Sequence, residues 1–113
     1  MEQHYKLNRV RELAGDDEEF IQTLVATFIE EVPEDTRQLE IAVDSRDFLK
    51  SYKVAHKLKP TVDLFELGVL DDLIQVQDWG KFEKKSEDIT HEFNRVITAI
   101  NNAVEELKQD YNL

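Results

Sequence analysis

The sequence predicts an all-α fold, specifically an antiparallel four-helix bundle with a short extra helix at its N-terminal end. Three observations carry this expectation. Only three glycines and two prolines occur in 113 residues, while Glu, Lys, Leu, Gln and Ala, all favourable in helices, are common. Apolar residues recur at spacings of three and four along most of the chain, as a helix with one buried face requires. No segment reads as a strand.

Each element can be justified in turn. Leu7, Val10, Leu13 and Ala14 mark a short first helix, which the run AGDD at 14–17 stops. Asp16 followed by Glu19 has capping-box spacing, so a second helix is expected to begin near residue 17. Its core-facing positions are Phe20, Leu24, Val25, Phe28, Ile29 and Val32. Pro33 falls inside the stripe, which resumes at Leu39, Ala42 and Val43, and predicts a kink or local break without a domain boundary. The polar turn DSRD at 44–47 supplies N-caps for a third helix, which carries His56. Gly68 separates it from a short fourth helix over about 69–77, and DWGK at 78–81 reads as the last turn. Ile89, Phe93, Val96, Ile97, Ile100, Val104, Leu107 and Tyr111 then define a long amphipathic helix. One core shared by four such stripes makes residues 1–113 a single domain. No second apolar stripe remains exposed, so a monomer is expected.

Composition narrows the function. Cysteine is absent, which removes disulfide frameworks and thiolate metal sites. The N-terminal MEQHYKLNRV lacks the apolar core of a signal peptide, and no apolar run nears the roughly 20 residues of a membrane span, so a cytoplasmic location is expected. A formal net charge of −11 repels nucleic acid and anionic membranes, and neither is expected as a partner. Gly-rich phosphate loops, nucleotide fingerprints and paired zinc histidines are missing, so no cofactor is implied.

Three histidines are candidates for chemistry. His91 lies four residues from both Glu87 and Arg95 and reads as an exposed helix residue in ion-pairing company. His4 falls in a terminus expected to be loosely held. Neither has metal-ligand spacing with other side chains, and no metal is expected. His56 is different. At about 100° per residue, Ala55, Leu58, Val62 and Phe65 gather on one face, with Phe48 at its edge, and His56 falls roughly 130° from the middle of that face. An exposed imidazole is therefore expected, with Lys50, Lys53 and Lys57 on the outer side and Lys59 one turn away. From Phe48 to Val62 no Asp or Glu occurs, although 25 of the 113 residues are acidic.

Neutral imidazole is a competent nucleophile toward phosphorus. Once phosphorylated, it would present a dense negative charge that Lys59, Lys53 and Lys57 can hydrogen-bond and carboxylates would repel. No general base, nucleotide site or metal cradle accompanies His56, so the chain is not expected to act as a kinase on its own. Donor and acceptor chemistry must come from another protein.

The segment AHKLKPT, with Asp47 nine residues before the histidine, resembles the histidine-containing phosphotransfer (HPt) family, whose pattern is Ala-His-x-Leu-Lys-Gly followed by Ser or Ala. Ala55, His56, Leu58 and Lys59 match it, and the order and approximate lengths of the helices are similar over nearly the whole chain. The resemblance implies that His56 is a phosphoacceptor in a multistep two-component phosphorelay. It would take a phosphoryl group from, or pass one to, receiver-domain aspartates of response regulators or hybrid sensor kinases. Docking would use Tyr52, Lys50 and Pro60 around the histidine.

Two positions depart from the family pattern. Pro60 replaces a glycine one turn beyond His56 and is expected to disturb the helix there, since it lacks an N–H. Glu66 stands where a second glycine is usual, with Gly68 nearby. Some members place a glutamine from the next helix beside the histidine, and Gln75, Gln77 and Asp78 all lie near that place. The alternative these departures raise is a non-transferring HPt-like helical adaptor that binds receiver domains or sensor kinases.

Overall fold

A computed structural model describes residues 4–113, all of whose regular structure is helical. Five helices follow in order: α1 (Asn8–Ala14), α2 (Glu18–Asp44), α3 (Phe48–Leu64), α4 (Leu70–Lys81) and α5 (Thr90–Tyr111). α3 packs on α2 and α4, and α5 on α4 and α2, so the four longer helices enclose one core while α1 rests on α2. The long axis of the molecule is 45 Å against 24 and 22 Å across it, set by the 27 residues of α2 at about 1.5 Å each. Among the described residues, no helix is long and apolar enough to cross a membrane.

The core is drawn from every helix. Val10, Ile21, Leu39, Leu58, Leu73, Ile100 and Leu107 are all within 1% of complete burial, and each such aliphatic side chain contributes roughly 1.5–3 kcal/mol on leaving water. Several sequence expectations shift by a residue or a turn. α2 is capped by Asp17, whose Oδ1 accepts from the Phe20 N–H at 3.2 Å, and not by Asp16. With that start, Ile21 turns inward while Phe20 remains 42% exposed, and on α1 Leu13, expected in the core, is 63% exposed. Pro33 does not break α2, which is helical from Glu18 to Asp44. Nor does Pro60 interrupt α3.

Helix ends depart further from expectation. α2, α3 and α4 each close with a residue in the left-handed region, and in each case it is not glycine: Arg46 (φ 57°), Glu66 (φ 52°) and Glu83 (φ 48°). The next N–H in each reaches back to a carbonyl five residues earlier: Asp47 to Ala42 at 2.8 Å, Leu67 to Val62 at 3.2 Å and Lys84 to Trp79 at 3.0 Å. This is the Schellman closure, in which glycine is favoured because it has no Cβ to clash. α3 therefore ends at Leu64, before Gly68. DWGK is no turn either, because α4 continues through it to Lys81.

The segment before α1 is held down. The His4 backbone N–H and Nδ1 contact the Glu106 carboxylate, the latter at 2.7 Å, the Tyr5 hydroxyl donates to Asp110, and Lys6 N–H donates to the Phe65 carbonyl at 2.9 Å. Tyr5 is buried, which together with its bond to Asp110 raises its pKa well above the ordinary phenol value. The loosely held terminus expected at His4 is thus a strap across α5 and the end of α3.

Candidate functional site

α3 begins where Asp47 accepts the Lys50 N–H at 3.1 Å. That start sets the register in which Ser51, Ala55, Leu58 and Val62 all turn into the core. The residue after Ala55 must then face outward, and His56 is exposed. On the same face, within about 60° on the helix wheel, lie Leu49, Tyr52, Lys53, Lys59 and Pro60. The Tyr52 and His56 ring centroids are 5.8 Å apart.

The imidazole leans toward α4. Its Nδ1 is 3.4 Å from Oε1 of Gln77, a long hydrogen bond to a side chain that is only 8% exposed. Of the three residues near this place, Gln77 is the one hydrogen-bonded to the histidine, while Gln75 is exposed and Asp78 half-buried with no hydrogen bond to the ring. An amide oxygen can only accept, so with this partner Nδ1 is the N–H of the neutral ring and Nε2 carries the lone pair. Among the described residues, Nε2 has no hydrogen-bond partner, so none of them competes for that lone pair.

The lysines divide into two sets. Lys50, Lys53 and Lys59 have no carboxylate within ion-pair distance among the described residues, and Lys59 is half-buried at the foot of the histidine face. Lys57 points the other way, toward α2, where its Nζ lies 3.1 Å from Oδ1 of Asp35. The acid-free stretch along the chain is therefore open to an acid in space on one flank. Sequence reasoning missed Asp35 because it is 22 residues away on another helix. It also missed Leu49, 62% exposed and two turns before His56 on the same face.

Pro60 stays within α3 but has no N–H to give the carbonyl four residues earlier, which is that of His56 itself. Elsewhere, His91 does not hold Arg95. The Arg95 guanidinium instead grips Asp72 of α4 through Nε at 3.0 Å and Nη2 at 2.7 Å. These hydrogen bonds lower the Asp72 pKa, overcoming the opposing effect of its partial burial. Among the described residues, no group of three His, Asp or Glu side chains is arranged to hold a metal ion.

The arrangement can do one thing chemically without help: offer an exposed nucleophilic nitrogen whose opposite nitrogen is held by an amide and whose rim is cationic. Compared with protein-family models, with curated proteins and with solved structures, the chain matches none.

Proposed function

We propose that this chain is a histidine phosphotransfer domain of the HPt type, carrying a phosphoryl group on Nε2 of His56 between receiver-domain aspartates. The reading is supported above all by the pairing of His56 Nδ1 with the Gln77 amide oxygen, which leaves Nε2 the free, basic nitrogen. Further support comes from the four longer helices that enclose one core, the His56-bearing α3 among them, and from Ala55, Leu58 and Lys59 around the histidine.

In the forward step, the Nε2 lone pair attacks phosphorus of an aspartyl phosphate on the partner. The N–P bond forms, the P–O bond to the aspartate breaks, and the carboxylate leaves with the bonding pair. Nδ1 keeps its proton, so the ring gains positive charge, and the Gln77 carbonyl stabilises that N–H as the charge develops. Lys59 and Lys53 lie on the face where the transferred oxygens come to rest. Lys57 can join them only by leaving Asp35. Transfer onward is the reverse of these movements onto a second aspartate.

The test is a phosphorylated receiver with a traceable phosphoryl group, taken from a panel of receivers. The wild-type chain is expected to acquire label that acid removes and alkali does not, as a phosphoramidate behaves. His56→Gln should fold and bind the same receivers but stay unlabelled, because the residue lies outside the core and only the nucleophile is lost. A labelled His56→Gln chain would move the site elsewhere. Receivers that bind the wild-type chain but never label it would establish the adaptor reading instead.

A further inference from the structure

We infer that Gly80 is a positioning residue for His56: its lack of a side chain lets α4 lie against the α3 backbone closely enough for Gln77 to reach the imidazole. The consequence for catalysis rests on the phosphotransfer reading, but the geometry does not. A glycine inside a helix costs about 1 kcal/mol relative to alanine, so its presence calls for a reason. Backbone conformation is not that reason, because Gly80, unlike Gly15 and Gly68, has no positive φ. Room is. A Cβ placed on Gly80 would fall 2.6 Å from the Phe48 carbonyl oxygen, 2.7 Å from the Tyr52 nitrogen and 3.2 Å from the Tyr52 Cα. All three atoms are backbone, which cannot swing aside as a side chain would. Around Gly15 and Gly68 a Cβ would meet nothing within 4 Å.

The two contacts form adjacent rungs between antiparallel helices. Gly80 meets α3 at Tyr52, and one turn along each helix Gln77 meets His56. Restoring ordinary contact, 3.4 Å, at the lower rung would open the helix pair by roughly 0.8 Å. The upper rung has no slack for this, since the Nδ1 to Oε1 separation is already 3.4 Å, near the limit of a hydrogen bond. An alanine at position 80 would thus release Nδ1 from Gln77 without touching either side chain.

The measurement is ¹⁵N NMR of the His56 ring in the neutral state, paired with transfer kinetics. Wild type should show Nδ1 protonated. In Gly80→Ala the Nε2–H form should gain, with kcat for transfer falling about two- to tenfold, the rate equivalent of one neutral hydrogen bond, and KM for the receiver little changed. Gln77→Leu, which leaves the helix spacing alone, should reproduce the NMR change. Should Gly80→Ala fold poorly, the Glu66→Gly background, which relieves a strained helix end far from the site, supplies stability for the comparison. Retention of the wild-type ring state in either Gly80→Ala or Gln77→Leu overturns the inference. So does failure of Gly80→Ala to fold even in the stabilised background, which would make Gly80 a residue of the fold alone. If wild type shows Nδ1–H and the variants lose it, yet no receiver labels the chain, the positioning geometry stands and the phosphotransfer reading falls.

Discussion

Lys57 and Lys59 are two residues apart on α3 yet have different neighbours, and under the proposed phosphotransfer that difference separates their roles. Among the described residues Lys59 has no carboxylate to leave, whereas the Lys57 ammonium is occupied by Asp35. Lys59→Ala is expected to leave thermal unfolding within the roughly 0.5 kcal/mol typical of surface changes while slowing transfer. Lys57→Ala, assayed beside it, should slow transfer less, and an equal loss would mean that Lys57 abandons Asp35 when the phosphoryl group arrives. The exposure of His56 was legible in the sequence because it depends only on helical angle relative to Ala55 and Leu58. Its partners were not. Gln77 and Asp35 reach the site from other helices, and chain distance says nothing of which of Gln75, Gln77 and Asp78 ends up facing α3.

Helix ends carry the stability that substitution can most easily recover. Glu66 adopts φ 52°, a conformation that costs a side-chain-bearing residue about 1–2 kcal/mol. Glu66→Gly should recover about 0.5–1 kcal/mol of that, after glycine's own entropy and the loss of a 3.4 Å contact to the Arg9 N–H. Pro60→Ala returns a donor to the His56 carbonyl and should add about 1–3 kcal/mol. At about 4 °C per kcal/mol for a domain of this size, melting curves resolve both, and a lower melting temperature for either would refute the account. Acid stability tests the tie between α4 and α5. Asp72 has a depressed pKa in the folded chain, so its contribution is present above the ordinary carboxylate pKa and is lost as pH falls through the lower folded value. Arg95→Met should therefore flatten the loss of stability below about pH 4, seen in urea titrations at successive pH values. These ends were hard to read because glycine, the usual marker of a left-handed closing residue, is absent from them. Of the three glycines, only Gly15 directly follows a helix. Leu73, Val76, Gln77 and Gly80 do keep the spacing of three and four, and that pattern was the available sign that α4 runs through DWGK.

Charge is distributed unevenly over the whole molecule. α3 carries four lysines against one acid, whereas α2 carries eight acids against one arginine. A partner approaching through water is repelled or attracted according to the face it meets, and an acidic docking surface is steered toward α3. If the partner is a receiver that docks through such a surface, as the phosphotransfer proposal has it, association should slow several-fold between about 0.05 and 0.5 M salt, where screening shortens from over 10 Å to a few ångströms, with dissociation changing little. Stopped-flow mixing separates the two rates, and a salt-independent association rate would rule out steering. The all-helical class was fully legible at this scale, since composition and a period of 3.6 point the same way in every segment. The strap at His4 and Tyr5 was not, because its hold comes from Glu106, Asp110 and Phe65, which are distant in sequence.

The close seat of Gly80 on Phe48 and Tyr52 also bears on the order in which the chain folds. α3 and α4 are consecutive, joined by a short loop, and form the most extensive helix pair, so their contacts close at less entropic cost than those that bring α5 back to α2. A hairpin of these two helices is expected to be largely formed at the folding barrier. Gly80→Ala should then slow refolding by nearly its full effect on stability, a φ-value near one, whereas Leu107→Ala, at the far end of α5, should chiefly speed unfolding. Chevron plots of the two variants distinguish these outcomes. If they hold, the surroundings of His56 are assembled before the bundle around them is closed.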